Sequence, residues 1–247
     1  MTSWEFPTSD PIDLQVRIAA GRIKVTAVST QTATVTLTPH NLGGRGEKLL
    51  AASRVELDQG TLSVIAPDRH RLGRDGSLEA AVELPEGSSC RVDTASADVS
   101  CTGELSTLDV HTASGDVSAE RVTGLARIAT ASGDVEVGEA AELTVETASG
   151  DVSAARVDGQ ISVRTASGDV QIGEASGGRA DIKATSGDIS VAVTPGIAIY
   201  LDISTLSGTV SSELETSDES GGTDMTVTCR TISGDVLISR AAQPAAR

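Results

Sequence analysis

Thr112-Ala-Ser-Gly-Asp-Val117 is the stretch that decides the fold, because it returns as Thr130-Ala-Ser-Gly-Asp-Val135, Thr147-Ala-Ser-Gly-Asp-Val152 and Thr165-Ala-Ser-Gly-Asp-Val170. Thr94-Ala-Ser-Ala-Asp-Val99 precedes them, and the copies lie 17 or 18 residues apart. Altered copies follow at Ala184-Thr-Ser-Gly-Asp-Ile189, Thr205-Leu-Ser-Gly-Thr-Val210 and Thr231-Ile-Ser-Gly-Asp-Val236, at spacings of 19, 21 and 26. Self-similarity at a fixed short period is the mark of a repeat architecture. Eight coils are visible, and the widening intervals read as insertions in the later ones.

Around each copy the side chains alternate with period 2, as in a strand with one buried face. Two residues before the repeat threonine stand Val92, Val110, Ile128, Val145, Val163, Ile182, Ile203 and Cys229, a column that points inward. One residue before it stand His111, Ala129, Glu146, Arg164 and Lys183, a mixture that belongs in water. Beyond the turn, Val99, Val117, Val135, Val152, Val170, Ile189, Val210 and Val236 resume the buried face. About 18 residues hold two or three short strands with their turns, so each repeat is one coil of a stack. The sequence therefore predicts an all-β fold, a single-stranded parallel β-solenoid of about 18-residue coils. Eight coils at the usual strand spacing make a rod on the order of 40 Å long.

Residues 1–88 lack the repeat and read as strands, among them Ile12-Asp-Leu-Gln-Val-Arg-Ile18, Ile23-Lys-Val-Thr-Ala-Val28 and Val55 to Ile65. A stack of coils leaves its first edge unpaired, and residues 1–88 are expected to form a β-rich cap over that edge. Residues 89–240 form the repeats, and 241–247 a disordered tail. The segments His40 to Lys48 and Asp68 to Gly76 are expected to be mobile loops.

Composition agrees with thin layers. Trp4, Phe6 and Tyr200 are the only aromatics, so Val, Ile, Leu, Ala and Thr must fill the core. The formal charge of −16 excludes nucleic acid and anionic lipid as partners, since either needs clustered Lys or Arg. The apolar runs are far short of the roughly 20 residues that span a bilayer, and the N-terminus lacks the pattern of a signal peptide. A cytoplasmic protein without direct membrane insertion is expected, with a cell-surface location as the alternative.

The turn residues Gly115, Asp116, Gly133, Asp134, Gly150, Asp151, Gly168, Asp169, Gly187, Asp188, Gly234 and Asp235 invite two readings. Stacked carboxylates could hold calcium, yet calcium-binding rolls draw ligands from glycine-rich nonapeptides, and here one Asp recurs per 18 residues. A structural turn outweighs this: glycine supplies positive φ, and Asp accepts backbone N–H groups. An ice-binding threonine array fails on parity, because Thr112 shares its side with Val110 and Leu108. A carbohydrate-active enzyme would need paired carboxylates and an aromatic platform, and residues 90–199 contain no aromatic. His40, His70 and His111 are scattered surface residues. No catalytic residue, cofactor or metal is expected.

Cys90, Cys101 and Cys229 fit neither a disulfide framework nor a zinc site, and the odd count favours a reducing compartment. All three fall on inward columns. Cys90 and Cys101 face each other across one coil, an arrangement that admits a disulfide in an exported protein.

On the T-A-S-G-D-V coils, with the strand pair from Ile12 to Val28, the hairpin Val55 to Ile65 before Ala66-Pro67, and the lead-in Leu84-Pro-Glu-Gly87, the chain resembles a bacterial putative-adhesin family with β-strand repeats, a domain of unknown function. The resemblance covers most of the sequence. It implies surface adhesion and brings no catalytic residues. The expected role is a non-catalytic binding or scaffolding rod that takes a protein partner or a second copy of itself, with a cell-envelope adhesin and a carbohydrate-active β-helix as the alternatives.

Overall fold

The computed structural model describes residues 1–8, 10–39, 44–67, 76–214 and 224–242. The expectations for the tail from 243, for the segment 68–75 and for residues 40–43 lie outside these.

Two stacks of strands face each other across a narrow core, and six of the coils cross from one to the other at a Ser-Gly-Asp corner. The first stack runs β6 (Thr61–Ile65), β2 (Asp13–Arg17), β8 (Ser89–Asp93), β10 (Thr107–Ser114), the second half of β11 (Val117–Ser132), the second half of β12 (Val135–Ser149), β14 (Ile161–Ser167), β16 (Gly178–Ser186), β20 (Met225–Ser233) and β18 (Ile199–Ser207), each parallel to the next. The second runs β7 (Leu78–Pro85), β3 (Ala20–Val28), β9 (Ser96–Leu105), the first halves of β11 and β12, β13 (Val152–Val157), β15 (Val170–Ala175), β17 (Ile189–Val193), β21 (Val236–Arg240) and β19 (Val210–Ser212), again parallel. Among the described residues the rod therefore holds ten coils, two of them built by the region before residue 88.

At both ends the order in space departs from the order in the chain. The coil of β2 and β3 lies inside that of β6 and β7, although it comes first in sequence. The coil at Thr231 likewise slides beneath the one at Thr205: β16 pairs with β20, and β18 pairs beyond it.

Inward positions along both stacks are buried, from Leu14 and Val16 through Val110, Ile128, Val145 and Val163 to Ile182 and Val227. Isoleucine, valine and threonine suit such strands because their branched side chains pack on a pleated, half-buried surface. Each inward column repeats at the spacing of adjacent strands, so a side chain rests on its counterparts above and below, and small residues suffice.

The first end is closed by antiparallel strands. β5 (Arg54–Asp58) pairs with β6, β4 (Thr32–Pro39) with β7, and β1 (Thr2–Pro7) with β4. Trp4 and Phe6 on β1 pack half-buried on the core there. Part of the segment expected as a loop is the helix α1 (Gly44–Ala52). Its run Glu47-Lys-Leu-Leu-Ala-Ala52 is made of strong helix formers, Leu49 is buried in the core, and the Ser53 hydroxyl closes the last turn on Leu49 O at 2.8 Å.

Candidate binding surface

The Gly-Asp corners line up in one column along the rod. Gly115, Gly133, Gly150, Gly168, Gly187, Gly234 and Gly208 all take positive φ, between 134° and 150°. A Cβ at Gly150 would lie 2.1 Å from the carbonyl oxygen of Gly133 in the coil below, so this column admits no side chain. In the coil of β8 and β9 the corner residue is Ala97, which does not take positive φ. That coil turns instead with the Ala95 and Ser96 N–H groups both donating to Ala19 O.

Beside the glycines, each aspartate accepts the backbone N–H of the corner in the next coil. Asp134 N donates to Asp116 Oδ1 at 3.0 Å, Asp151 N to Asp134 at 2.9 Å, Asp169 N to Asp151 and Asp188 N to Asp169 at 2.8 Å. The series then jumps with the stack: Asp235 N donates to Asp188 at 2.8 Å, and Thr209 N to Asp235 at 2.7 Å. Thr209 stands in the outermost coil, where among the described residues no further strand follows. A carboxylate there would have no N–H to accept, which accounts for Ser-Gly-Thr in place of Ser-Gly-Asp. One oxygen of each aspartate is thus engaged by backbone. Among the described residues no group of three or more His, Cys, Asp or Glu side chains converges on a metal-sized site.

The threonines lie inside the corner, with Thr112, Thr130, Thr147, Thr165 and Thr231 buried. Thr147 donates to Ser149 O at 3.1 Å and Thr231 to Ser233 O at 3.3 Å. The hydroxyls of Thr112, Thr130 and Thr165 are buried without a protein partner. A buried hydroxyl that makes no bond costs its desolvation, and an apolar isostere removes that cost. Thr130→Val is expected to hold or raise stability in a urea titration, whereas Thr147→Val loses about 1 kcal/mol. Equal losses from the two would show that both hydroxyls are bonded alike.

Outward positions carry exposed ion pairs between neighbouring coils, such as Arg121 with Glu139 at 2.8 Å and Arg164 with Glu146 at 3.1 Å. The Arg156 hydrogen bond, followed by that of Ser176, holds the Asp158 carboxyl below its ordinary range. Exposed pairs of this kind contribute at most about 1 kcal/mol each. His111 stands beside Asp109 and Asp93 at 3.5 and 3.9 Å, on the wet side of its strand. His40 and His70 lie outside the described residues.

The two ends of the rod differ in what they expose. Of the eight large hydrophobic side chains exposed among the described residues, five belong to the last two coils in space: Tyr200, Leu206, Val210, Ile232 and Leu237. Leu206, 84% exposed, and Ile232 stand in the column that Ala113, Ala131, Ala148 and Ala166 fill elsewhere. Among the described residues β18 pairs only with β20, and β19 only with β21. The inward set Ile199, Leu201 and Ile203 is therefore only half-buried, and Val210 is 45% exposed where Val117, Val135 and Val152 are fully covered. Next to this end lies a groove of about 530 Å³ whose lining includes Asp169, Asp188, Asp235, Gln171, Ser190 and Leu237.

Sequence reasoning left this end unnoticed because it treated Ile203 and Val210 as core. The readable signals were the replacement of alanine by Leu206 and Ile232, and of aspartate by Thr209.

Residues 77–243, the coil-bearing majority of the chain, match the family described as Toastrack DUF4097. The chain belongs to the Toastrack family. Two solved structures share its fold over 96% of both chains. One is a putative adhesin from Bacteroides fragilis NCTC 9343, 11% identical with a TM-score of 0.57. The other is a putative lipid binding protein from Parabacteroides distasonis ATCC 8503, 13% identical with a TM-score of 0.56. No curated protein matches this Toastrack sequence. The match begins inside the region before residue 88, consistent with β7 sharing a stack with the repeats. Among the described residues no helix is long and apolar enough to cross a membrane.

Proposed function

We propose that this Toastrack protein is a non-catalytic, single-stranded parallel β-solenoid whose work is binding, and that it docks through the open end formed by β18 and β19. The concentration of exposed apolar side chains in the last two coils carries the reading, because such patches on a soluble surface mark interaction sites. A free strand edge adds main-chain hydrogen bonds to that patch, the mode by which strands join a sheet. In this reading the Gly-Asp column is structural: its carboxylates tie corner to corner and hold no ion. Residues 1–88 serve as the cap by adding two coils and three antiparallel strands to the first end of the repeats in 89–240.

The occupant is a second copy. At the other end the outermost strands β5 and β1 carry the charged run Arg54-Val-Glu-Leu-Asp58 and Pro7, which disfavour the addition of a further strand and so oppose head-to-tail growth. End-to-end contact of two open coils is self-complementary and closes as a dimer. This is the scaffold form of the adhesin-type role borne by one structural neighbour's name. Cell fractionation distinguishes the cytoplasmic reading from the cell-surface one.

Light scattering behind size-exclusion chromatography tests the proposal. The mass is expected to rise to twice the monomer with concentration, and to do so more readily at high salt, since two chains of charge −16 repel until screened. Leu206→Asp with Val210→Asp is expected to leave a folded monomer, and chelator to change nothing. A wild-type monomer at every concentration, or a mass that follows calcium, sinks the reading.

A further inference from the structure

Each coil sets two inward side chains at matching distances from its corner, eleven residues apart. Leu108 stands with Ala119, Ala126 with Val137, Leu143 with Ala154, Ile161 with Ile172 and Ala180 with Val191, and the strand registers carry both columns from coil to coil. In the coil of β8 and β9 the same two positions are Cys90 and Cys101. Both are free thiols, 2% and 3% exposed. Cys90 is stacked between Leu14 and Leu108, and Cys101 between Val25 and Ala119, so neither has a polar neighbour above or below.

We propose that Cys90 and Cys101 are a disulfide-forming pair that fastens the two stacks of strands to each other through the core of a single coil. The two thiols are placed to interact: a hydrogen bond to Cys101, and then burial, push the Cys90 thiol well above its ordinary range. The fold therefore favours the neutral dithiol once closed, and exchange proceeds as the coil forms or opens, when thiolate is exposed. With a small-molecule disulfide as oxidant, one cysteine thiolate attacks a sulfur of that disulfide, forming a mixed disulfide and expelling one small thiolate. The second cysteine thiolate then attacks the protein sulfur of the mixed disulfide, forms the Sγ–Sγ bond and expels the other. The protein loses two electrons and two protons, and the oxidant becomes two thiols.

Cys229 cannot compete. It lies in the coil of β20 and β21, six coils further along, roughly 29 Å at ordinary strand spacing. Its thiol is pushed up to about 12, mainly by burial.

The full chain is unfolded, refolded with glutathione disulfide, quenched by alkylation and examined by intact mass and peptide mapping. The expected product lacks two hydrogens, links Cys90 to Cys101 and carries alkylated Cys229. Its thermal midpoint is expected to exceed that of the reduced chain by about 5 °C, since closing a short loop restricts the unfolded state. Cys229→Ser is expected to give the same link. Alkylation or glutathione on Cys90 and Cys101, a link that includes Cys229, or an oxidised chain without the native circular dichroism spectrum overturns the proposal.

Discussion

Gly150→Ala is expected to lower the thermal midpoint by roughly 10 °C or more, or to prevent folding, whereas Gly196→Ala moves it by only a few degrees. Both glycines take positive φ, 134° and 87°, so both substitutions bear the strain of a side chain in that region. What separates them is space. A Cβ at Gly150 would meet Gly133 O at 2.1 Å and Gly133 C at 2.7 Å, both backbone atoms of a paired coil, while at Gly196 nothing lies within 4 Å. The first can be relieved only by forcing two coils apart, which breaks ladder hydrogen bonds on either side of the corner. Strain of about 1–3 kcal/mol plus that separation exceeds about 4 kcal/mol, and each kcal/mol moves the midpoint of a chain this size by about 2–4 °C. Calorimetry on the two variants checks the comparison. Equal shifts would mean that backbone conformation alone, and not the approach of neighbouring coils, requires glycine in the column.

The columns were legible in the sequence because a strand's side-chain period is 2 and each coil repeats it in register. Val110, Val117 and Thr112 could be placed inside, and His111 and Ser118 outside, without any coordinates. The order of the coils was not legible in the same way. Chain order and spatial order coincide from Ser89 to Val193, where each coil's end is already beside the start of the next. At the two ends a longer connection lets a later segment enter beneath an earlier one, and nothing in period or parity reports that choice. Its trace is chemical. An Asp at the corner is useful only where another coil offers its N–H, and Thr209 marks the coil that, among the described residues, has none beyond it. The same residues define the candidate site: Ile203 and Val210 look like core because they continue the inward columns, and become surface only because their coil is outermost. The helix at Gly44–Ala52 escaped for a different reason. The glycines at its start dominate a reading by composition, while the burial of Leu49 against the sheet, a tertiary effect, decides the outcome.

The eleven-residue pairing across the core is expected to couple the energetics of its two positions. Leu143 and Ala154 share one layer, between a layer of Ala126 with Val137 and one of Ile161 with Ile172. All six are buried, so volume lost at one position can be regained only from its partner or its two stacked neighbours. Leu143→Ala is expected to cost about 3 kcal/mol in a guanidinium titration, the usual result of emptying a leucine-sized site in a core that cannot collapse. Collapse is resisted here because the strand spacing is held by ladders along the whole rod. Ala154→Leu alone adds volume to a filled layer and is expected to cost about 2 kcal/mol. If the two positions face each other, the double variant returns the leucine to the same layer from the opposite wall and costs about 1–2 kcal/mol, well below the sum of the single changes. The shortfall is the coupling energy of a double-mutant cycle, expected between contacting residues and absent between distant ones. A double variant that costs the full sum would show that Leu143 and Ala154 do not share a space, and would remove the pairing rule on which the partnership of Cys90 with Cys101 also rests.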